Sequence, residues 1–180
     1  VHFMAPEWSG AASTDAATLE ALLREMLTRW GFVHVVDIGS DLGNTLALAG
    51  RVEAGEIAGP SIMSAGPPFI AVGGQPRYVP VPLPELTGAE QARAVVENML
   101  GAGARAIKLM TASVVEAPPP PVMPLDIVQA VTQAAHAQGA PVFAHPTDAE
   151  GFWAAVDGGV DVLAHTVPEM GPWSEGTLAR

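Results

Sequence analysis

The chain has 180 residues, 49% of them hydrophobic, which is enough to build a sizeable core and argues against a disordered protein. Its formal net charge of −11 argues against nucleic acids and anionic membranes as partners. The sequence contains no cysteine, which excludes disulfides, thiolate metal sites and cysteine nucleophiles.

Apolar periodicity predicts five strands that alternate with five helices. The strands are predicted at about 32–38, 60–65, 105–110, 141–145 and 160–165, and the helices at about 13–30, 45–54, 87–100, 125–137 and 150–156. Ser13, Thr14 and Asp15 can cap the first helix, and Thr87 with Glu90 matches a capping box for the third. Residues 66–86, between the second strand and the third helix, form a proline- and glycine-rich stretch that predicts a substrate lid. The proline run 118–121 is a second candidate for the lid.

The alternation of strands and helices requires parallel strands joined by right-handed crossovers. A doubly wound sheet and a (β/α)8 barrel both satisfy this requirement. A complete barrel needs about 250 residues, so this α/β chain would supply only part of one. The pattern is interrupted at Val1 and at Arg180, and we expect residues 1–180 to be an incomplete (β/α)8 TIM-barrel domain that is truncated at both ends.

Lys108 is the only lysine of the chain, and it lies in a strand of apolar residues. A desolvated lysine can lose its proton and act as a nucleophile, whereas arginine stays protonated. The alternative explanation is a long side chain that reaches the surface from a buried stem.

Two histidines, His145 and His165, close the two strands that follow Lys108. The carboxyl ends of parallel strands meet on one face, which is where the active sites of such proteins lie. We therefore expect these three side chains to form one cluster. His2 is a further candidate, although it stands at the start of the chain.

Three other residues have structural explanations that come first. His34 lies between two valines and is expected to pack inside a strand. His136 lies inside a helix. Asp37 is expected to cap the backbone, with support of the site as the alternative.

Taken together, these residues resemble the metal-dependent amidohydrolase superfamily. The segments AIKLM with Lys108, PVFAHP with His145 and DVLAHT with His165 are similar to its strands 4, 5 and 6. The phrase GEIAGPSIMSAGPP also resembles connecting segments of the imidazolonepropionase-related and Xaa-Pro-dipeptidase-like group. The resemblance extends over nearly the whole chain, from the end of strand 1 to the helix after strand 6.

The resemblance implies a hydrolase that cleaves an amide or cyclic amide bond with a metal-bound hydroxide at a binuclear centre. It implies that Lys108 reacts with CO2 to form a carbamate, which would bridge two divalent metal ions, expected to be Zn2+. His145 and His165 would bind the more exposed metal. His2 corresponds to the second histidine of the family's His-X-His motif.

The chain departs from the family pattern in three places. The first histidine of the His-X-His motif would precede Val1, and the aspartate of strand 8 would follow Arg180. Gln75 follows two glycines where many relatives have a histidine, so the substrate group and its binding residues stay open. The chain as it stands is expected to be inactive.

Two other interpretations stay open. Lys108 could form a Schiff base in an aldolase-like barrel, or the chain could be a non-catalytic truncated barrel that serves as an interaction surface. The hydrolase interpretation implies a small-molecule or dipeptide-like substrate and leaves open whether the full-length protein is a homo-oligomer. The sequence has no visible signal peptide and no run of roughly 18 apolar residues, so no membrane span is expected and a cytoplasmic location is favoured.

Overall fold

The structure, a computed structural model, describes residues 1–113, 118–167 and 175–178. Helices and strands alternate along these residues. The strands are β1 (His34–Asp37), β2 (Ser61–Ser64), β3 (Ile70–Ala71), β4 (Glu85–Leu86), β5 (Ile107–Leu109), β6 (Val142–Ala144) and β7 (Val162–Leu163). The α-helices are α1 (Ala16–Met26), α2 (Leu42–Glu53), α3 (Ala89–Gly101), α4 (Leu125–His136), α5 (Ala149–Asp157) and α6 (Glu175–Leu178), and 3-10 turns cover Pro6–Trp8 and Thr28–Trp30. All five predicted strands and all five predicted helices are confirmed as elements of the expected type.

Every strand pair within the described residues is parallel. β1 pairs with β2, β3 with β4, and β6 lies between β5 and β7. The segment after β2 joins β5, because Phe69 N donates to Lys108 O at 2.9 Å. Val1 lies along β1, because its ammonium group donates to Val36 O at 3.0 Å. These bonds line up the carboxyl ends of successive strands.

The main hydrophobic core lies between β5, β6 and the helices α3 and α4. Side chains alternate across a strand, so Ile107 and Leu109 point into this core while Lys108 points to the opposite face. β5 is buried on both faces, as is usual for a central parallel strand. A second core forms where α1 and α2 pack over the residues before α1, with Phe3 and Trp8 among its members.

The start of α1 follows the prediction, but its end differs. Asp15 Oδ2 accepts a hydrogen bond from Thr18 N, which is the expected cap. The α-helix then ends at Met26 instead of continuing to residue 30, and the predicted last turn is a separate 3-10 turn. Gly31 follows it with φ 85°, a left-handed conformation that glycine adopts without strain.

Two other helix starts differ from the prediction. α2 begins three residues earlier than expected, because the Asp41 side chain caps it by accepting from Asn44 N at 2.7 Å. The capping box of Thr87 and Glu90 is wrong. Gly88 occupies the cap position of α3 without a side-chain hydrogen bond, and the amide N–H of Thr87 is bonded by Gln91 instead.

Residues 66–86 are more ordered than the lid prediction implied. They contain the short parallel strands β3 and β4, in which Ile70 pairs with Glu85 and Ala71 with Leu86. The stretch between these strands remains without helix or strand.

In the described part of the chain, no helix is both long and apolar enough to cross a bilayer.

Two helical glycines offer a matched test of this packing. A Cβ on Gly151 in α5 would lie 2.3 Å from Ala112 Cβ, whereas a Cβ on Gly50 in α2 would meet nothing within 4 Å. We expect Gly151→Ala to lower the free energy of unfolding by about 1–3 kcal/mol through overpacking. Gly50→Ala should raise it by about 0.5–1 kcal/mol, because alanine has the higher helix propensity. Guanidinium chloride unfolding measures both, and equal shifts would contradict the close contact between α5 and Ala112.

Candidate active site

Lys108 occupies the middle of β5 and is almost completely buried, with 3% of its surface exposed. Its Nζ has no hydrogen-bond partner among the described residues. Burial lowers the pKa of Lys108 from 10.5 to about 8, because the charged ammonium loses its hydration. The long-stem alternative, in which the amine reaches the surface, does not hold. The amine is held unpaired inside the protein, partly neutral near neutral pH.

His145 follows directly after β6 and is fixed by the sheet hydrogen bonds. Its backbone N–H donates to Leu109 O at 2.9 Å, which continues the pairing of β5 with β6. The buried Nε2 has no partner among the described residues. Burial, together with positive charge on His165, Lys108 and His2, lowers the pKa of His145 to about 4. At neutral pH this imidazole is therefore neutral, with a ring nitrogen free to bind.

His165 lies two residues after β7, and its ring meets that of His145. The ring centroids are 4.5 Å apart and the planes cross at 76°. Burial and the nearby Lys108 amine both lower the pKa of His165. The ring thus reaches the same space as the amine, although the residue as a whole is exposed.

His2 approaches the cluster from the other side. The pairing of Val1 with Val36 and with Ile38 sets its backbone, and its ring lies against Gly39. A Cβ on Gly39 would be only 2.5 Å from His2 Nδ1, so any larger residue there would displace the ring. Burial is the main cause that lowers the pKa of His2.

Asp37, at the end of β1, is fully buried beside this segment. Its carboxylate accepts hydrogen bonds from the hydroxyls of Ser40, Thr45 and Ser64 at 2.7, 2.8 and 3.3 Å. Ser40 Oγ in turn accepts from Phe3 N at 2.6 Å, which fixes the residue that follows His2. The expected backbone cap is wrong, since Asp37 holds hydroxyls, and these connect it to the His2 segment.

The four predicted site residues line one cavity. His2, Lys108, His145 and His165 share a space of about 350 Å³ with apolar side chains that include Ile38 and Met110. A second cavity of about 590 Å³ adjoins it at Met4, Gly39 and Leu83 and contains none of the four. The four predicted site residues therefore lie in the smaller, more apolar cavity.

The other two histidines lie outside this cavity. His34 begins β1 and is exposed, so the expected packing inside the strand is wrong. His136 ends α4, and its Nε2 lies 2.9 Å from Asp161 Oδ2. That carboxylate also accepts from Val142 N, so the pair ties α4 to the sheet.

The donor set fits divalent metal ions under one condition. No three histidine, aspartate or glutamate side chains within residues 1–113, 118–167 and 175–178 form a metal-binding group by themselves. The histidines meet around Lys108, and an unmodified protonated amine repels a cation. Neutral imidazoles suit zinc, and His145 Nε2 is buried and unpaired, provided that Lys108 contributes negative charge instead of positive.

Sequence reasoning missed several residues that shape this site. Gly39 is an inconspicuous residue after a strand, and its role appears only when the His2 ring is placed over it. Ser40, Thr45 and Ser64 are widely separated hydroxyls with no motif spacing. The sole sequence signal was the aspartate at the end of a β-branched strand.

Comparison with solved structures agrees with this architecture. A protein from Bifidobacterium longum proposed to be a prolidase matches at 29% identity with a TM-score of 0.65, over 82% of this chain and 36% of that chain. A Xaa-Pro dipeptidase with bound methionine in the active site matches at 26% and 0.65, over 73% and 36%. An amidohydrolase matches at 26% and 0.68, over 89% and 45%.

The chain belongs to the amidohydrolase superfamily. It spans less than half the length of each of these three amidohydrolase-type structures. No protein-family model matches the sequence, and no curated protein matches it either. The assignment to the amidohydrolase superfamily therefore rests on the shared fold and on sequence identities of 26–29%.

The buried amine makes the stability of the metal-free amidohydrolase chain depend on pH. The unfolded chain keeps the ordinary lysine pKa of 10.5, and the folded chain has about 8. Between these values the unfolded state binds a proton that the folded state has released, so the free energy of unfolding rises with pH. Below pH 8 the folded chain keeps a charged amine buried, which lowers the free energy of unfolding by the full amount, about 3 kcal/mol.

We expect Lys108→Met to remove this dependence. In CO2-free buffer the variant should be more stable than the parent at pH 7.5, by up to about 3 kcal/mol, and the difference should shrink toward pH 10. Guanidinium chloride unfolding of both proteins across this range measures it. Two curves with a constant separation would show that the amine is solvated.

Proposed function

We propose that the full-length protein is a metal-dependent hydrolase of amide bonds, with its site at the cavity of His2, Lys108, His145 and His165. The observation that carries the proposal is the pair of buried, unpartnered nitrogens, Lys108 Nζ and His145 Nε2, on that one cavity. A buried polar group without a partner costs about 1–3 kcal/mol, so a protein retains such groups where a ligand satisfies them.

Lys108 is proposed to act as a carbamate. Its neutral amine attacks the carbon of CO2, a nitrogen–carbon bond forms, and one amine proton leaves to solvent. The lowered pKa of about 8 supports this step, since a larger fraction of the amine is neutral than for an exposed lysine. The product is an anion with two oxygens, which supplies the negative charge that three neutral histidines lack.

The histidines are proposed to hold two divalent metal ions together with that carbamate. His145 and His165 present neighbouring rings, and His2 lines the same cavity. When bound, such ions would polarise the substrate carbonyl and lower the pKa of water toward about 7. The low pKa of His145 supports this role, because its ring stays neutral and able to bind across the physiological range.

The substrate is proposed to be a dipeptide-like amide. Support comes from the similarity to a Xaa-Pro dipeptidase and to the protein proposed to be a prolidase. Pro68, Val79 and Met110 line the cavity, which suits a non-polar group beside the bond. The parallel strands, with their ends at one rim, would form part of a (β/α)8 barrel in the full-length protein.

Metal content per chain tests the proposal. We expect the full-length protein to bind two zinc ions when it is loaded with zinc and bicarbonate, and clearly fewer when bicarbonate is omitted. His145→Ala and Lys108→Ala should each reduce the metal content. His34→Ala is the matched control, because His34 is an exposed histidine outside the cavity. Two zinc ions retained in Lys108→Ala would contradict the carbamate role.

Borohydride separates the proposal from a Schiff-base enzyme. A metal-dependent hydrolase should lose amide hydrolysis after chelation and should not be trapped by borohydride in the presence of a carbonyl compound. A Schiff-base lysine would give the opposite result, with a covalent adduct on Lys108. Mass spectrometry of the peptide that contains Lys108 locates the adduct, because residues 1–180 contain no other lysine.

A further inference from the structure

The side chain of Gln75 ties together the stretch between β3 and β4. Its Nε2 lies 3.1 Å from Val79 O, 3.1 Å from Val81 O and 3.3 Å from Pro76 O. Its Oε1 accepts from Leu83 N at 2.9 Å. One half-buried amide group thus bonds the backbone at both ends of residues 76–83, which we name the wall loop.

The wall loop depends on this side chain because of its own sequence. Pro76, Pro80 and Pro82 carry no N–H, so the stretch cannot form a regular strand ladder. The carbonyls of the intervening residues then need a donor from elsewhere. Gln75 supplies donors and an acceptor in one planar group, whereas a glutamate would turn two acceptor oxygens toward carbonyl oxygens.

The wall loop forms the boundary between the two cavities. Val79 and Pro80 face the cavity that contains Lys108, and Val81 faces the adjoining one. Leu83 lines both and is anchored in a small buried cluster with Ile70 and Met110. The loop therefore offers the Lys108 cavity an apolar surface whose position is set by Gln75.

We propose that Gln75 fixes the wall loop as the surface that selects a bulky non-polar side chain on the acyl side of the cleaved amide bond. The proposal rests on the proposed amide hydrolysis. The joined cavities have room for such a side chain, and Val79, Pro80, Val81 and Leu83 of the wall loop offer a polar one no side-chain hydrogen bond. Apart from the site residues, the polar side chains of the lining are Tyr78 in the loop and Ser9, Ser40, Asp41 and Asn44 in the adjoining cavity. A non-polar amino acid, methionine, occupies the active site of the similar Xaa-Pro dipeptidase. Gln75 acts through the loop, so it is a positioning residue.

Hydrogen exchange on the metal-loaded full-length protein tests the tie without any substrate. We expect Gln75→Glu to increase exchange at the amide of Leu83 at least tenfold, because the carbonyl oxygens that Nε2 bonds would repel the carboxylate and displace it, which leaves Leu83 N without its acceptor. The matched control is Gln91→Glu, since Gln91 also bonds backbone, at Thr87 N and Glu85 O, but lines neither cavity. Unchanged exchange at Leu83 in Gln75→Glu would overturn the proposal.

Selectivity is tested with leucine and asparagine, which are similar in size and differ in polarity. By calorimetry we expect the parent to bind L-leucine at least tenfold more tightly than L-asparagine, and Gln75→Glu to lose most of this preference. With Leu-Pro, Asn-Pro and Gly-Pro as substrates, the variant should raise KM for Leu-Pro and leave kcat for Gly-Pro unchanged.

The outcomes separate the two claims. Preferential leucine binding that Gln75→Glu abolishes, without cleavage of any dipeptide, would support the wall loop and overturn amide hydrolysis. Cleavage with equal binding of leucine and asparagine, or with neither bound, would overturn the wall loop alone. A preference that Gln91→Glu abolishes equally would also overturn it, because the effect would then not depend on the tie at Gln75.

Discussion

The burial of the Lys108 amine among apolar side chains is the constraint on which the site depends. β5 is covered on both faces, with Ile107 and Leu109 in the helix-side core and the amine of Lys108 buried on the other side. The same burial lowers its pKa to about 8 and leaves Nζ unpaired. An unpaired amine in this position destabilises the metal-free chain, and it also makes the nitrogen available for chemistry that an exposed lysine performs poorly.

Parallel pairing supplies the geometry around that amine. β5, β6 and β7 run side by side, so residues just beyond their ends reach the same rim, and the rings of His145 and His165 come into contact there. The segment at residue 2 reaches this rim because Val1 is bonded along β1. Asp37 and Ser40 stabilise that approach through a chain of hydrogen bonds to the backbone after His2. The site is thus assembled by backbone register, and buried polar contacts hold the segment that follows His2.

The sequence was sufficient for the order of elements and for the cluster at the strand ends, because both follow from periodicity and from the single lysine. It was not sufficient where the choice among several possible hydrogen-bond partners decides. Asp41 moved the start of α2, Gly88 replaced the expected capping box, and residues 66–86 formed β3 and β4 through pairing between distant residues. The bonds of Gln75 to the wall loop could not be foreseen either, since a glutamine after two glycines has no periodic signal. Most of these contacts join residues within eight positions of each other, but residue type alone does not decide which of several possible partners is bonded.

A crystal of the full-length protein, loaded with zinc and bicarbonate and measured at the zinc absorption edge, tests the central claim most directly. The account predicts two anomalous peaks in the cavity of His2, Lys108, His145 and His165, with zinc–nitrogen distances of about 2.0–2.1 Å and added density for a carbamate on Lys108. Zinc bound elsewhere, or an unmodified Lys108 with no metal beside His145, would contradict it.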